Sequence, residues 1–167
     1  MLKLNEKVMY GTTGVCVVEK IEDKKIGREV KRYYVLKPVT QSSSTVFLPA
    51  DNEKLLSKAR DVLTKKQICG IVEELKLTDD VWVDSDNDRR LKFSEMISSG
   101  DCKVCMLLLR SLLNRQTELL EKGKRLHLAD ERALKETQRL TFDEIAEAFG
   151  VSLDEAEAYF KMELLDN

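Results

Sequence analysis

A chain of 167 residues has room for one domain or two small ones, and 43% hydrophobic with 35% charged residues is the balance of a soluble globular protein. No apolar run approaches the roughly 18 residues of a membrane span. The opening Met1-Leu2-Lys3-Leu4-Asn5-Glu6 lacks the apolar stretch of a signal peptide, so a cytoplasmic protein with reduced cysteines at 16, 69, 102 and 105 is expected. The net charge of −2 hides an uneven distribution: +4 over residues 1–50, +5 over 89–139 and −7 over 140–167. That pattern allows a basic face but is no strong nucleic-acid signature.

The first fifty residues read as strands. Val8-Met9-Tyr10 runs into Gly11-Thr12-Thr13-Gly14, a turn, and Val15 to Ile21 follows. A polar connection over 24–29 leads to Tyr33-Tyr34-Val35-Leu36, ended by Pro38; a polar loop at 41–44 precedes Thr45-Val46-Phe47-Leu48-Pro49. Short β-branched and aromatic runs between turn signals predict a small antiparallel barrel or sheet. Both prolines lie at the ends of runs, where they remove no central ladder bond.

Past residue 60 the signals become helical. Thr64-Lys65-Lys66-Gln67 is a capping-box pattern ahead of Ile68, Ile71, Val72 and Leu75. Residues 78–88 read as an acidic loop around Trp82, and Arg89 to Ser98 as a short helix stopped by Gly100. Cys102 to Leu120 is apolar almost all round, the mark of a central bundle helix. Gly123 breaks it, and Asp130 opens a helix reaching Leu140. Thr141-Phe142-Asp143-Glu144 and Ser152-Leu153-Asp154-Glu155 read as two further capping boxes. The fold class is therefore segregated α+β: an N-terminal β-barrel over 1–60, then an all-α bundle over 61–167.

No catalytic constellation emerges, and no cofactor, metal or small-molecule substrate is expected. Cys102 and Cys105 form a CxxC, the spacing of a redox pair or half a zinc site. A zinc site needs four ligands, yet there is no second CxxC and a single histidine, His127. Two small apolar residues sharing one face of a buried helix is the preferred reading. Phosphate-cradling glycine motifs are absent. Residues 140–160 resemble a helix-turn-helix, but the recognition helix would be Leu153-Asp154-Glu155-Ala156-Glu157, with carboxylates where phosphates and bases are gripped. Trp82, in its acidic loop, is either an exposed anchor for a partner or a ring packed onto the domain junction. Arg89-Arg90-Leu91-Lys92 is either a phosphate-binding cluster or a solvated helix face paired with nearby Asp.

Taken in order, Leu2 to Tyr10, Gly14-Val15, Glu19-Lys20-Ile21, Tyr33 to Lys37, Thr45 to Asn52, Arg89 to Lys92 and Ser98 to Asp101 resemble the CarD-type (CdnL-type) bacterial transcription regulators. The resemblance implies a Tudor-like barrel that binds the β subunit of RNA polymerase. It also implies a helical domain that contacts promoter DNA at the upstream edge of the transcription bubble, where a tryptophan wedge stabilises the open complex. The implied polymerase-binding positions are Lys24, Thr45, Val46 and Phe47; the family often has arginine where Phe47 stands. The implied DNA-binding positions are Arg89, Arg90 and Lys92. The wedge position, two residues before the Arg-Arg pair, is Asn87 here. Either Trp82, five residues earlier, takes over or this chain lacks the wedge. No membrane partner is implied.

Overall fold

The computed structural model describes residues 1–41 and 43–165; Ser42, in the polar loop expected at 41–44, lies outside them. The chain divides into two compact units, Met1–Val62 and Leu63–Asn167.

The first unit is a sheet of five antiparallel strands: β1 (Lys7–Tyr10), β2 (Gly14–Ile26), β3 (Glu29–Pro38), β4 (Val46–Pro49) and β5 (Ala59–Asp61), in the order β4-β3-β2-β1-β5. The expected closed barrel is not formed. The outermost strands β4 and β5 are four and three residues long, and no ladder joins them. A one-turn helix α1 (Glu53–Leu56), capped by the Asn52 side chain, separates them in sequence; neither α1 nor β5 was expected. The polar stretch expected as a connection at 24–29 is mostly strand: β2 and β3 run on to a two-residue turn, Gly27-Arg28, with Gly27 at φ 63. That backbone region suits glycine, which has no Cβ to clash.

Side chains alternate across a strand, so Val8, Cys16, Val18, Tyr34, Leu36 and Leu48 form one inner cluster. The ladder slips between Val18 and Lys20. This bulge inserts one residue and reverses the parity of β2. Before it, even-numbered residues face the cluster. After it, Ile21 pairs with inward Tyr34, while Glu22 and Lys24 lie on the outer face with Tyr33.

Among the described residues the second unit has five helices: α2 (Lys65–Lys76), α3 (Asp86–Ser98), α4 (Cys102–Glu121), α5 (Leu128–Phe149) and α6 (Leu153–Leu164). The Thr64–Gln67 capping box closes reciprocally, at 3.2 Å and 2.8 Å, and aims Ile68, Val72 and Leu75 inward. Asp101 caps α4, which supplies Met106, Leu108, Leu109 and Leu112, all fully buried.

One expectation fails here. Thr141 does not open a helix; it lies within the 22-residue α5, buried, and its Oγ1 has no partner. Nothing between Leu134 and Gly150 breaks the helix, and burial of Leu140, Phe142 and Ile145 holds it continuous. Glu144, read as part of that box, is buried and accepts the Leu63 N–H at 3.1 Å. Gly150, left-handed at φ 65, ends α5, and Ser152 caps α6 as expected.

Candidate functional site

In the sheet unit, the parity change brings Lys24 to Phe47. The ammonium sits 3.6 Å from the centre of the Phe47 ring, 6.0 Å from that of Tyr33 and 3.3 Å from the Glu22 carboxylate. Phe47 is 48% exposed on a four-residue strand at the rim of the sheet. An exposed ring with a cation over its face is a ready contact for a partner. Of the other implied positions, Thr45 is exposed just before β4, whereas Val46 packs against the inner cluster.

The main chain of β4 adds to this. Val46 pairs with Leu36, Leu48 with Tyr34, and the Ala50 N–H donates to the Arg32 carbonyl at 2.9 Å. Hydrogen-bonding groups alternate along an antiparallel strand. Val46, Leu48 and Ala50 therefore bond inward, while Thr45 and Phe47 present their amides and carbonyls outward. Further out on the β2–β3 arm, Arg32 and Asp23 pair across the strands at 2.9 Å and 3.3 Å. Arg32 holds the Asp23 carboxyl below its ordinary pKa.

In the helical unit the implied DNA-binding residues part company. Arg89 is 4% exposed, and all five of its N–H groups are engaged. Nε and Nη2 donate to the two Asp130 oxygens at 3.0 Å and 2.8 Å, and Nη2 also to Asp86 at 2.8 Å. Nη1 donates to the carbonyls of Val83 and Asp84 at 2.9 Å and 3.3 Å. The bonds to Asp130 raise its pKa further, so it stays charged and internally satisfied. No donor is left for a phosphate.

Trp82 is half-buried. Its ring meets Phe93 edge to face at 5.9 Å, and the Arg89 and Arg115 guanidinium carbons lie 4.5 Å and 4.9 Å from its centre. The ring packs within the helical unit. Arg90 and Lys92 are exposed on α3, as is Asn87 in its first turn.

Cys102 and Cys105 are buried on α4, and among the described residues no cluster of three or more metal-ligating side chains occurs. His127 is exposed at the start of α5, its Nδ1 3.4 Å from Asp86. Among the described residues no helix is long and apolar enough to cross a membrane. Sequence reasoning missed Tyr33 and Glu22 as neighbours of Lys24, because their shared face depends on a bulge that no local pattern announces. It missed Asp130 as the partner of Arg89, 41 residues away.

Residues 2–60 match the family model described as the CarD-like/TRCF RID domain, which supports a CarD-like RNA polymerase-interacting domain over those residues. It is a protein-interaction family and not a catalytic one.

Proposed function

We propose that this chain is a non-enzymatic regulator of transcription initiation. Its sheet unit docks on the β subunit of RNA polymerase, and its helical unit contacts promoter DNA at the upstream edge of the open bubble, modulating how long the bubble stays open. The observation that carries the reading is the Lys24–Phe47 pair beside the outward main chain of β4, within residues that match a polymerase-interacting family. A strand of the partner adds to the Thr45–Phe47 edge, and main-chain bonds supply affinity. Phe47 fills an apolar recess, and Lys24 meets a carboxylate. Where relatives often carry arginine on β4, the charge here comes from β2 and rides over the Phe47 ring.

The DNA contact falls to Arg90 and Lys92, since Arg89 and Trp82 are spent inside the fold. Contacts of this kind hold phosphates and do not read sequence. Direct reading by residues 140–160 draws no support: α6 opens on exposed Asp154 and Glu155, and α5 is one long helix.

The test is capture of RNA polymerase β subunit by the full chain. Lys24→Glu and Phe47→Ala are each expected to weaken capture about tenfold or more, while Leu77→Ala, at an exposed site on the other unit, leaves it unchanged. Failure of the intact chain to recover the β subunit, or undiminished capture by both variants, sinks the docking reading.

A further inference from the structure

The first turn of α4 carries two thiols. Cys102 is its first residue and Cys105 its fourth; they are 6% and 4% exposed and not joined as a disulfide. Positions i and i+3 of a helix share a face, with Cβ atoms about 5–6 Å apart. A disulfide needs about 3.5–4.5 Å. Local tightening to a 3₁₀ turn, common at helix N-termini, closes that gap by eclipsing residues i and i+3. The Cys105 N–H now donates to the Asp101 carbonyl at 3.0 Å. In the tighter turn it passes to the Cys102 carbonyl, so no donor is stranded. The Asp101 carboxylate, accepting the Val104 N–H at 3.0 Å, keeps the helix start capped throughout. The turn itself lies at the surface: Asp101 is exposed, and Lys103 and Val104 are half-buried. Among the described residues no third metal-ligating side chain completes a site with the pair, which leaves the two thiols to react with each other.

We propose that Cys102 and Cys105 form a thiol–disulfide exchange site whose oxidant is a small-molecule disulfide. Helix ends open locally at far lower cost than the whole fold, and opening of this turn presents Cys102 to solvent. Its thiolate attacks one sulfur of the small disulfide. A mixed disulfide forms, the old S–S bond breaks and one small thiolate leaves. The Cys105 thiolate then attacks the Cys102 Sγ, forming the Cys102–Cys105 bond and releasing the second small thiolate. Two protein thiols are oxidised, one small disulfide is reduced to two thiols, and the two cysteine protons end on the leaving groups. The second step is intramolecular, because the resolving thiol stands one turn away. The other cysteines are placed differently: Cys16 is fully buried in the sheet unit, and Cys69, on α2, lies 3.6 Å from the Tyr159 hydroxyl. Closure of the bond acts on the corner between two helices. Only Ser99, Gly100 and Asp101 separate α3 from α4, and Cys102 shares a buried cluster with Phe93 of α3. Oxidation therefore reaches the helix that carries Arg90 and Lys92.

The experiment incubates the folded full chain with oxidised glutathione, alkylates the remaining thiols and maps the peptides by mass spectrometry. The Cys102–Cys105 disulfide is expected to exceed any other cysteine pairing at least about tenfold, with no glutathione retained. The oxidised chain keeps its helical circular dichroism, and dithiothreitol returns it to the dithiol. Cys105→Ala removes the resolving thiol and is expected to trap a glutathione adduct on Cys102. Cys69→Ala leaves the yield of the Cys102–Cys105 disulfide unchanged. Oxidation is expected to shift backbone amide NMR signals around residues 93–105 and to leave those of the sheet unit in place. Thiols that stay unmodified in the folded chain and react only in urea overturn the site and leave two core residues. Glutathione held on Cys69 alone overturns it, as does an oxidised chain that has lost its helical signal. The wild-type peptide map decides the outcome even where Cys105→Ala fails to fold.

Discussion

Arg89 and Arg90 are neighbours in sequence with opposite fates. Arg89 is locked to Asp130 in the interior; Arg90 lines an open groove. Removing one partner of a buried ion pair strands the other charge, so Arg89→Ala is expected to cost about 3–5 kcal/mol in urea unfolding. Arg90→Ala is expected to stay within about 0.5 kcal/mol of wild type. Similar losses for both would remove the distinction. On the sheet, Asp23 has its pKa depressed by Arg32. A depressed carboxyl contributes stability that is present above its unfolded pKa, about 3.9, and is lost as pH falls through the lower folded value. Arg32→Gln is expected to move the Asp23 titration upward, which carboxyl NMR reads directly.

At the scale of elements, α5 offers a sharp test. A Thr141 that capped a helix would be worth about 1 kcal/mol, lost on removal of its hydroxyl. Inside a continuous α5 the same hydroxyl is buried without a partner, so Thr141→Val is expected to stabilise the protein by about 1 kcal/mol in thermal or urea unfolding. The episode shows where sequence reading reaches its limit. Thr64, Asp101 and Ser152 cap helices as local chemistry dictates, and the β-branched runs become strands. Thr141 carries the same local signal, but tertiary burial of Phe142 and Ile145 overrides it. The resemblance singles out Lys24 and Phe47 separately; that they touch is visible in no local pattern. The burial of Arg89 was not legible, because it depends on a carboxylate two helices away in the chain.

At the scale of the molecule, each unit has its own apolar cluster: the inner face of the sheet in one, the α4-centred bundle in the other. Leu36→Ala is expected to destabilise the sheet unit by about 2–5 kcal/mol and to leave helical circular dichroism largely intact at temperatures where the sheet signal is lost. Simultaneous loss of both signals would show that the units unfold as one. The bulge after Val18 has a consequence for how such a protein tolerates changes of length. Adding or removing matched residues on both sides of the Gly27-Arg28 turn lengthens or shortens the arm and leaves Lys24's face alone. Deletion of Glu19 only removes the bulge and joins Val18 to Lys20 with both flanking pairings kept, whereas a single-residue insertion between Ile21 and Lys24 acts like a frameshift written in side chains: every residue from there to the arm tip changes sides, and the cation over Phe47 is carried away from it.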